Sequence, residues 1–258
     1  MFTLFLQAAC IIFVLVTVLW LWSIVIKNVS IVDIFWGLGF VAVNTFYYFN
    51  LENPSTRQTL LLALVAIWGI RLAIYLAIRN IGKGEDYRYQ EFRTHFGPKR
   101  YWWFSYFQVF LLQGALIMIV SLPLYAVQTN SLNKELNPTD YFAFALWIIG
   151  FIFEAGGDYQ LMRFKQNPEN KGQVLNTGFW KYTRHPNYFG DAVVWVAYAL
   201  FCLASGQYWQ IVGSLVMIFF LIKVSGVALL EKTLKDTKPK YKEYIEKTNA
   251  FLPWFPKK

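Results

Sequence analysis

Seven ionisable residues stand inside or at the edges of long apolar runs: Asp33, Arg71, Glu154, Asp158, Asp191, Lys223 and Glu231. A charge in hydrocarbon is costly unless it meets a partner or water, so each marks a candidate site. The densest chemistry lies between Asp158 and Asp191. Asp158-Tyr159-Gln160-Leu161-Met162-Arg163-Phe164-Lys165 reads as a helix end rich in hydrogen-bonding groups. Gly178-Phe179-Trp180-Lys181-Tyr182-Thr183-Arg184-His185-Pro186-Asn187-Tyr188 reads as a basic, turn-rich loop leading into the next helix. Pro186 biases His185 towards an extended backbone, and Asn187 is of a type that caps helices. A helix start with Arg184, Lys181 and Lys165 near it suits a phosphate, although a basic loop lying against lipid would need the same residues. Asp33 has two readings: an acid of the site, or the far end of a capping box Ser30-Ile31-Val32-Asp33. Arg71 sits about two turns from the end of its run, a long reach for snorkelling, which favours a buried role. Glu231 reads as the start of an amphipathic tail.

The elements that must position these groups are membrane helices. Of 258 residues, 57% are hydrophobic and only 15% charged, too few ions to cover a water-facing surface. That composition excludes a disordered chain, a coiled coil and a disulfide scaffold. It points to one transmembrane domain over 1–258, all-α, with about seven spans and an amphipathic C-terminal tail. Apolar stretches long enough or nearly so to cross a bilayer run over Phe2–Ile26, Val29–Phe49, Thr59–Ile78, Tyr106–Val127, Tyr141–Gly157, Tyr188–Ala204 and Trp209–Leu230. Turn-forming Asn53-Pro54-Ser55, Asn137-Pro138-Thr139-Asp140 and Ser205-Gly206 fall between spans. With the N-terminus outside, 20 of the 24 Lys and Arg lie in inner loops or the tail, and only Arg57 and Lys134 lie outside. This is a positive-inside pattern for an integral, multi-pass protein of a bacterial inner membrane or endoplasmic reticulum, with a cytosolic C-terminus. On that topology every intramembrane ion falls in the cytosolic half. A polar cavity opening inward, with an aromatic compartment deeper in the bilayer, is the expected arrangement.

Arg184-His185-Pro186-Asn187-Tyr188, the Asp158…Lys165 element and the tail Tyr241-Lys242-Glu243-Tyr244…Phe251-Leu252-Pro253-Trp254 resemble the steroid 5-alpha-reductase family. Ser30-Ile31-Val32-Asp33…Phe35-Trp36-Gly37 and Gly82-Lys83-Gly84-Glu85-Asp86-Tyr87-Arg88-Tyr89 resemble its mostly bacterial branch. The likeness spans nearly the whole chain, and its cofactor-binding motifs concentrate in the C-terminal half, about 140–258. The Arg-His-Pro-x-Tyr element is shared with isoprenylcysteine carboxyl methyltransferases and sterol-ring reductases. The resemblance implies a seven-helix reductase that holds NADPH on the cytosolic side and passes hydride to the beta carbon of a lipophilic alpha,beta-unsaturated carbonyl, steroid- or isoprenoid-like. Carried over by position, the resemblance implies that Arg71, Tyr75, Asp158, Lys165, Asn187 and Tyr188, and with them Arg88 and Tyr89, contact the cofactor; Arg184 and His185 of the basic loop are expected to join them. Asp33 matches the family's carboxylate that polarises the substrate ketone. Trp68 stands where the family has a tyrosine, which leaves Tyr75, or more weakly Tyr47, to supply a hydroxyl. The family's histidine near the start of the tail is absent, with Glu231 in its region. A protonated Asp33 would then donate a hydrogen bond to the developing enolate.

Absent motifs narrow the alternatives. There is no Gly-x-Gly-x-x-Gly, Walker sequence, nucleophile elbow or zinc spacing. With only His95 and His185 in the chain, and Cys10 and Cys202 inside apolar runs, neither a multi-histidine metal site nor a structural disulfide is expected. Nucleic-acid binding is not expected, because no soluble domain carries the basic residues; lipid and a lipophilic small molecule are the expected partners, and a monomer the expected state. Two other functions stay open at this level: an S-adenosylmethionine-dependent methyltransferase of a prenylated or lipid substrate, and a non-enzymatic lipid-binding or transport protein.

Overall fold

A computed structural model of the chain describes residues 2–130, 135–224, 227, 231 and 241–257. The described residues are helical, without strands, and divide into two compact units, Met1–Glu135 with Ser205–Gln210, and Leu136–Ala204 with Ile211–Lys258. Six described helices are long and apolar enough to cross a membrane, which makes this a polytopic membrane protein.

In the N-terminal unit α1 spans Phe2–Ile26, α2 Ile31–Phe49 and α3 Thr56–Asn80; α4 (Tyr87–Phe96) is short, and α5 covers Pro98–Val120. Helix α1 ends at Lys27, which takes a left-handed φ of 53° while the Asn28 N–H donates to the Ser23 carbonyl at 3.0 Å. That closure leaves only a short link before α2. Helices α2 and α3 cross where Gly37 meets Gly69: a Cβ built on Gly69 would stand 2.7 Å from the Gly37 carbonyl oxygen. The crossing lies one turn beyond Asp33 and two residues before Arg71, so it fixes the height of both. Beyond it the interior is aromatic: Trp36 stands edge-on to Phe40 (4.9 Å), and Phe40 packs on fully buried Trp68 (5.8 Å).

Helix α3 starts with a capping box in which Ser55 accepts from the Gln58 N–H and Gln58 accepts from the Ser55 N–H at 2.8 Å. The fourth span differs from the Tyr106–Val127 expectation. It begins at Pro98, which suits a first helical turn, and it includes a π-helical stretch at Tyr106–Leu111. It stops at Val120, and a separate helix α6, Leu122–Thr129, restarts around Pro123, which has no N–H to continue the ladder.

The C-terminal unit is built on α7 (Pro138–Gln166) and α8 (Pro186–Ala204). Asn137 and Asp140 form a second capping box, so α7 starts earlier than expected; it also runs past Gly157 and carries Asp158 and Lys165 on the helix itself. The two helices cross at another glycine pair: a Cβ on Gly150 would lie 2.7 Å from the Gly190 carbonyl oxygen and 2.8 Å from the Val194 nitrogen. The expected seventh span, Trp209–Leu230, is seen as a shorter apolar helix α9 over Trp209–Val224. Residues 225–226 and 228–230 of that span, and 232–240 of the tail, lie outside the described residues. A last short helix, α10 (Tyr241–Lys247), belongs to the tail.

Candidate functional site

In the N-terminal unit the site grows from the loop before α4. Asp86 caps that helix by accepting from the Arg88 N–H at 3.1 Å, and the same carboxylate takes the Arg88 Nε at 2.9 Å. The guanidinium then reaches Asp33, with Nη2 2.8 Å from Oδ2. Tyr89, one residue on and buried, donates its hydroxyl to Asp33 Oδ1 at 2.7 Å. The loop is tied down over the start of α2: Glu85 accepts from the Val29 N–H (2.9 Å) and from Arg93 (2.8 and 2.9 Å), while Ser30 Oγ accepts from the Asp86 N–H. Burial alone would raise Asp86, but the bonds and charge of Arg88 outweigh it and hold the carboxyl below its ordinary range. Burial likewise opposes the charge on Arg88, yet Asp86 and Asp33 keep its pKa above the usual value.

One expectation changes here. Ser30 and Asp33 do not form a capping box: Ser30 makes no side-chain cap bond, and its N–H donates instead to Asn28 Oδ1 at 3.0 Å. Asp33 accepts on both oxygens, from the Tyr89 phenol and from the Arg88 guanidinium. The phenol beside Asp33 is that of Tyr89. Tyr75 is half-buried on α3 under the Arg79 guanidinium (5.7 Å), and Tyr47 lies near the other end of α2, edge-on to Tyr125. Arg71 is half-buried on α3.

In the C-terminal unit the Arg-His-Pro-Asn-Tyr element forms a second cluster. Arg184, only 8% exposed, grips both oxygens of Glu231 through Nε (2.8 Å) and Nη2 (3.1 Å). Its Nη1 donates to the carbonyls of Ile245 (3.1 Å) and Thr248. Four of its five N–H groups are therefore bonded to protein acceptors. His185 Nε2 is 2.9 Å from Glu231 Oε1, and the Tyr241 hydroxyl donates to the same oxygen at 3.0 Å. Burial would raise Glu231, but His185, Arg184 and Tyr241 together bring it down to about 2. Tyr241 in turn is raised, first by burial and then by the Glu231 charge.

The same loop is stitched to the tail. The Arg184 N–H donates to the Asn249 carbonyl (2.9 Å), Thr183 Oγ1 to that of Phe251 (2.8 Å), and Tyr244 to that of Trp180. Beside this cluster, Asn187 Nδ2 donates to buried Asp158 at 3.0 Å, Gly157 packs under Pro186, and the Tyr188 ring lies 5.9 Å from that of His185. Lys165 is exposed in the last turn of α7. Two buried polar atoms of this segment, His185 Nδ1 and Asn187 Oδ1, have no hydrogen-bond partner among the described residues.

Each unit thus gathers part of the expected set: Asp33, Arg88 and Tyr89 in one, Arg184 with His185 and Asp158 with Asn187 in the other. Glu231 and Glu85 were not marked by the sequence as centres of these clusters. Each has one distant partner, Arg184 47 residues from Glu231 and Val29 56 residues from Glu85, which no local spacing encodes.

A family model described as a protein of unknown function (DUF1295) matches residues 19–248, and the chain belongs to that family. An uncharacterized protein, C594.04c, of Schizosaccharomyces pombe is similar, with 26% identity over 93% of this chain and 77% of its own length. A local stretch resembles 3-oxo-5-alpha-steroid 4-dehydrogenase 1 of Bos taurus (34% identical) and of Mus musculus (32%), and covers 22% of this chain and 22% of each relative. The chain therefore matches about a fifth of the length of those steroid enzymes, a partial similarity to an oxidoreductase. No solved structure matches.

Proposed function

We propose that this family member is an NADPH-dependent membrane reductase that transfers hydride to the carbon–carbon double bond of a lipophilic alpha,beta-unsaturated carbonyl, with its site on the cytosolic side. The observation that carries the reading is the Tyr89–Asp33–Arg88 cluster: a phenol and a guanidinium held on one carboxylate near the start of a membrane helix. The local resemblance to 3-oxo-5-alpha-steroid 4-dehydrogenases supports the reaction class. Asp158, Lys165, Asn187 and Tyr188 would hold NADPH in the C-terminal unit, and Arg71 is the proposed phosphate cation of the N-terminal unit. The buried, unpartnered His185 Nδ1 and Asn187 Oδ1 fit a ligand that brings hydroxyl or amide donors.

When bound, NADPH supplies the hydride. As hydride adds to the beta carbon, negative charge moves to the carbonyl oxygen, and the Tyr89 hydroxyl is the group that meets it. Without substrate the phenol proton points at Asp33. A carbonyl oxygen arriving at the hydroxyl competes for that proton, and Arg88 keeps the released carboxylate paired. Protonation of the alpha carbon by water completes the saturated product. Arg184, gripping Glu231 and the tail, acts as a positioning residue for the loop that carries Asn187 and Tyr188.

The test is direct titration of the detergent-purified protein with NADPH, NADH and S-adenosylmethionine, followed by turnover of a lipophilic enone. NADPH binding that weakens in Arg71→Ala is expected, as is a Tyr89→Phe variant that turns over about 10²–10⁴-fold more slowly at saturating NADPH. Binding of S-adenosylmethionine alone would overturn the reductase in favour of a methyltransferase.

A further inference from the structure

The end of the described chain holds large apolar side chains out of the fold: Leu252, Trp254 and Phe255 are 67%, 70% and 74% exposed. They are held there by the structure. The Trp254 N–H donates to the Tyr182 carbonyl (2.9 Å), the Phe255 ring stands edge-on to Tyr182 (6.0 Å, 80°), and the Lys257 N–H donates to the Lys247 carbonyl (2.8 Å). Next to them is a half-open cavity of about 430 Å³, whose lining includes Lys181, Lys247, Glu243, Tyr244, Asn176 and Pro256. Two ammonium groups face one carboxylate there, and Lys247 is held to Glu243 at 2.7 Å. The cavity belongs wholly to the C-terminal unit and is built partly from the loop joining the end of α7 to the start of α8, so it stands at the level where two apolar, membrane-length helices end. Aromatic side chains flanked by lysines at that level are what a lipid–water interface accommodates.

We propose that this face docks on the bilayer interface and that the cavity binds the head group of an anionic phospholipid. The phosphate would sit between Lys181 and Lys247, with Trp254 and Phe255 in the acyl boundary. The excess of positive charge selects an anionic head group over a zwitterionic one. Because Tyr244 and Lys247 belong to the same short helix as Tyr241, a bound lipid would brace the tail against the loop that carries Arg184. This inference needs only the membrane-spanning fold and is independent of the reductase reading.

Native mass spectrometry of the delipidated full chain in detergent tests it, with phosphatidylglycerol, phosphatidylcholine and inorganic phosphate as probes. Retention of one phosphatidylglycerol in preference to phosphatidylcholine is expected, undisturbed by equimolar inorganic phosphate. The double variant Lys181→Gln/Lys247→Gln should lower that retention about thirtyfold, the loss expected for two lysines near an anionic surface. Equal retention of the two lipids, equal retention by the variant, or displacement by inorganic phosphate would each overturn the proposal. Should the double variant fail to fold, Glu243→Gln makes the cavity more positive and is expected to tighten retention; unchanged or weaker retention would refute it.

Discussion

Replacing Glu231 by glutamine keeps an oxygen acceptor in place but removes the one negative charge that Arg184, His185 and Tyr241 share. Its carboxyl falls from an ordinary 4.5 to about 2, and every tenfold change in proton affinity corresponds to about 1.4 kcal/mol. Unscreened, the drop is worth about 3 kcal/mol, and solvent screening at the partly open rim reduces it to about 2 kcal/mol. A depressed carboxyl stabilises the fold fully above the unfolded pKa and loses that contribution as pH falls from about 4.5 towards 2. At pH 7 the variant should therefore unfold at a temperature roughly 4–8 °C below the wild type, using the usual scaling for chains of this size. The gap should narrow steadily below pH 4.5 as the wild-type carboxylate takes up its proton. Thermal unfolding of both proteins in detergent at pH 7, 5 and 3 measures the gap directly. Equal stability at pH 7, or a gap as wide at pH 3 as at pH 7, would refute the assignment of Glu231 as the counter-ion of this cluster.

Other perturbations probe the elements that carry the clusters. Gly150→Ala puts a methyl group 2.7–2.8 Å from backbone atoms of Gly190 and Val194, so α7 and α8 must separate; a loss of about 1–3 kcal/mol should appear as a lower unfolding temperature. Lys27→Gly relieves a left-handed backbone at the end of α1 and should raise stability by about 1 kcal/mol in the same assay.

The long apolar runs were readable because a span must exclude charge for some 20 residues, and most helices form where those runs lie. Ends were harder. The caps at Ser55 and Asn137 fall at the turn-forming stretches that separate spans, whereas the textual capping box at Ser30–Asp33 is not used. Asn28 bonds the Ser30 N–H from two residues away, and Asp33 is claimed by Arg88 and Tyr89 from some 55 residues away. Local spacing contains the first partner but not the second. The same limit applies to the phenol bonded to Asp33, since Tyr89 arrives from a separate loop that Glu85 and Asp86 pin over α2. Glu231 read as the start of the tail because the residues that follow it are mostly polar, and its meaning depends on a guanidinium in another segment.

The stitching of the tail onto the Arg-His-Pro loop imposes an order on biosynthesis. Arg184 is made 47 residues before Glu231 and 64 before Thr248, so during translation its guanidinium has none of the acceptors that later surround it. A charged group cannot be buried without them, and the loop must wait in water while α8 and the following helix enter the bilayer. Only when residues 241–257 have emerged can the loop close. A nascent chain stalled before that point would display an open, cationic turn at the membrane surface, a feature by which incomplete copies differ from finished ones.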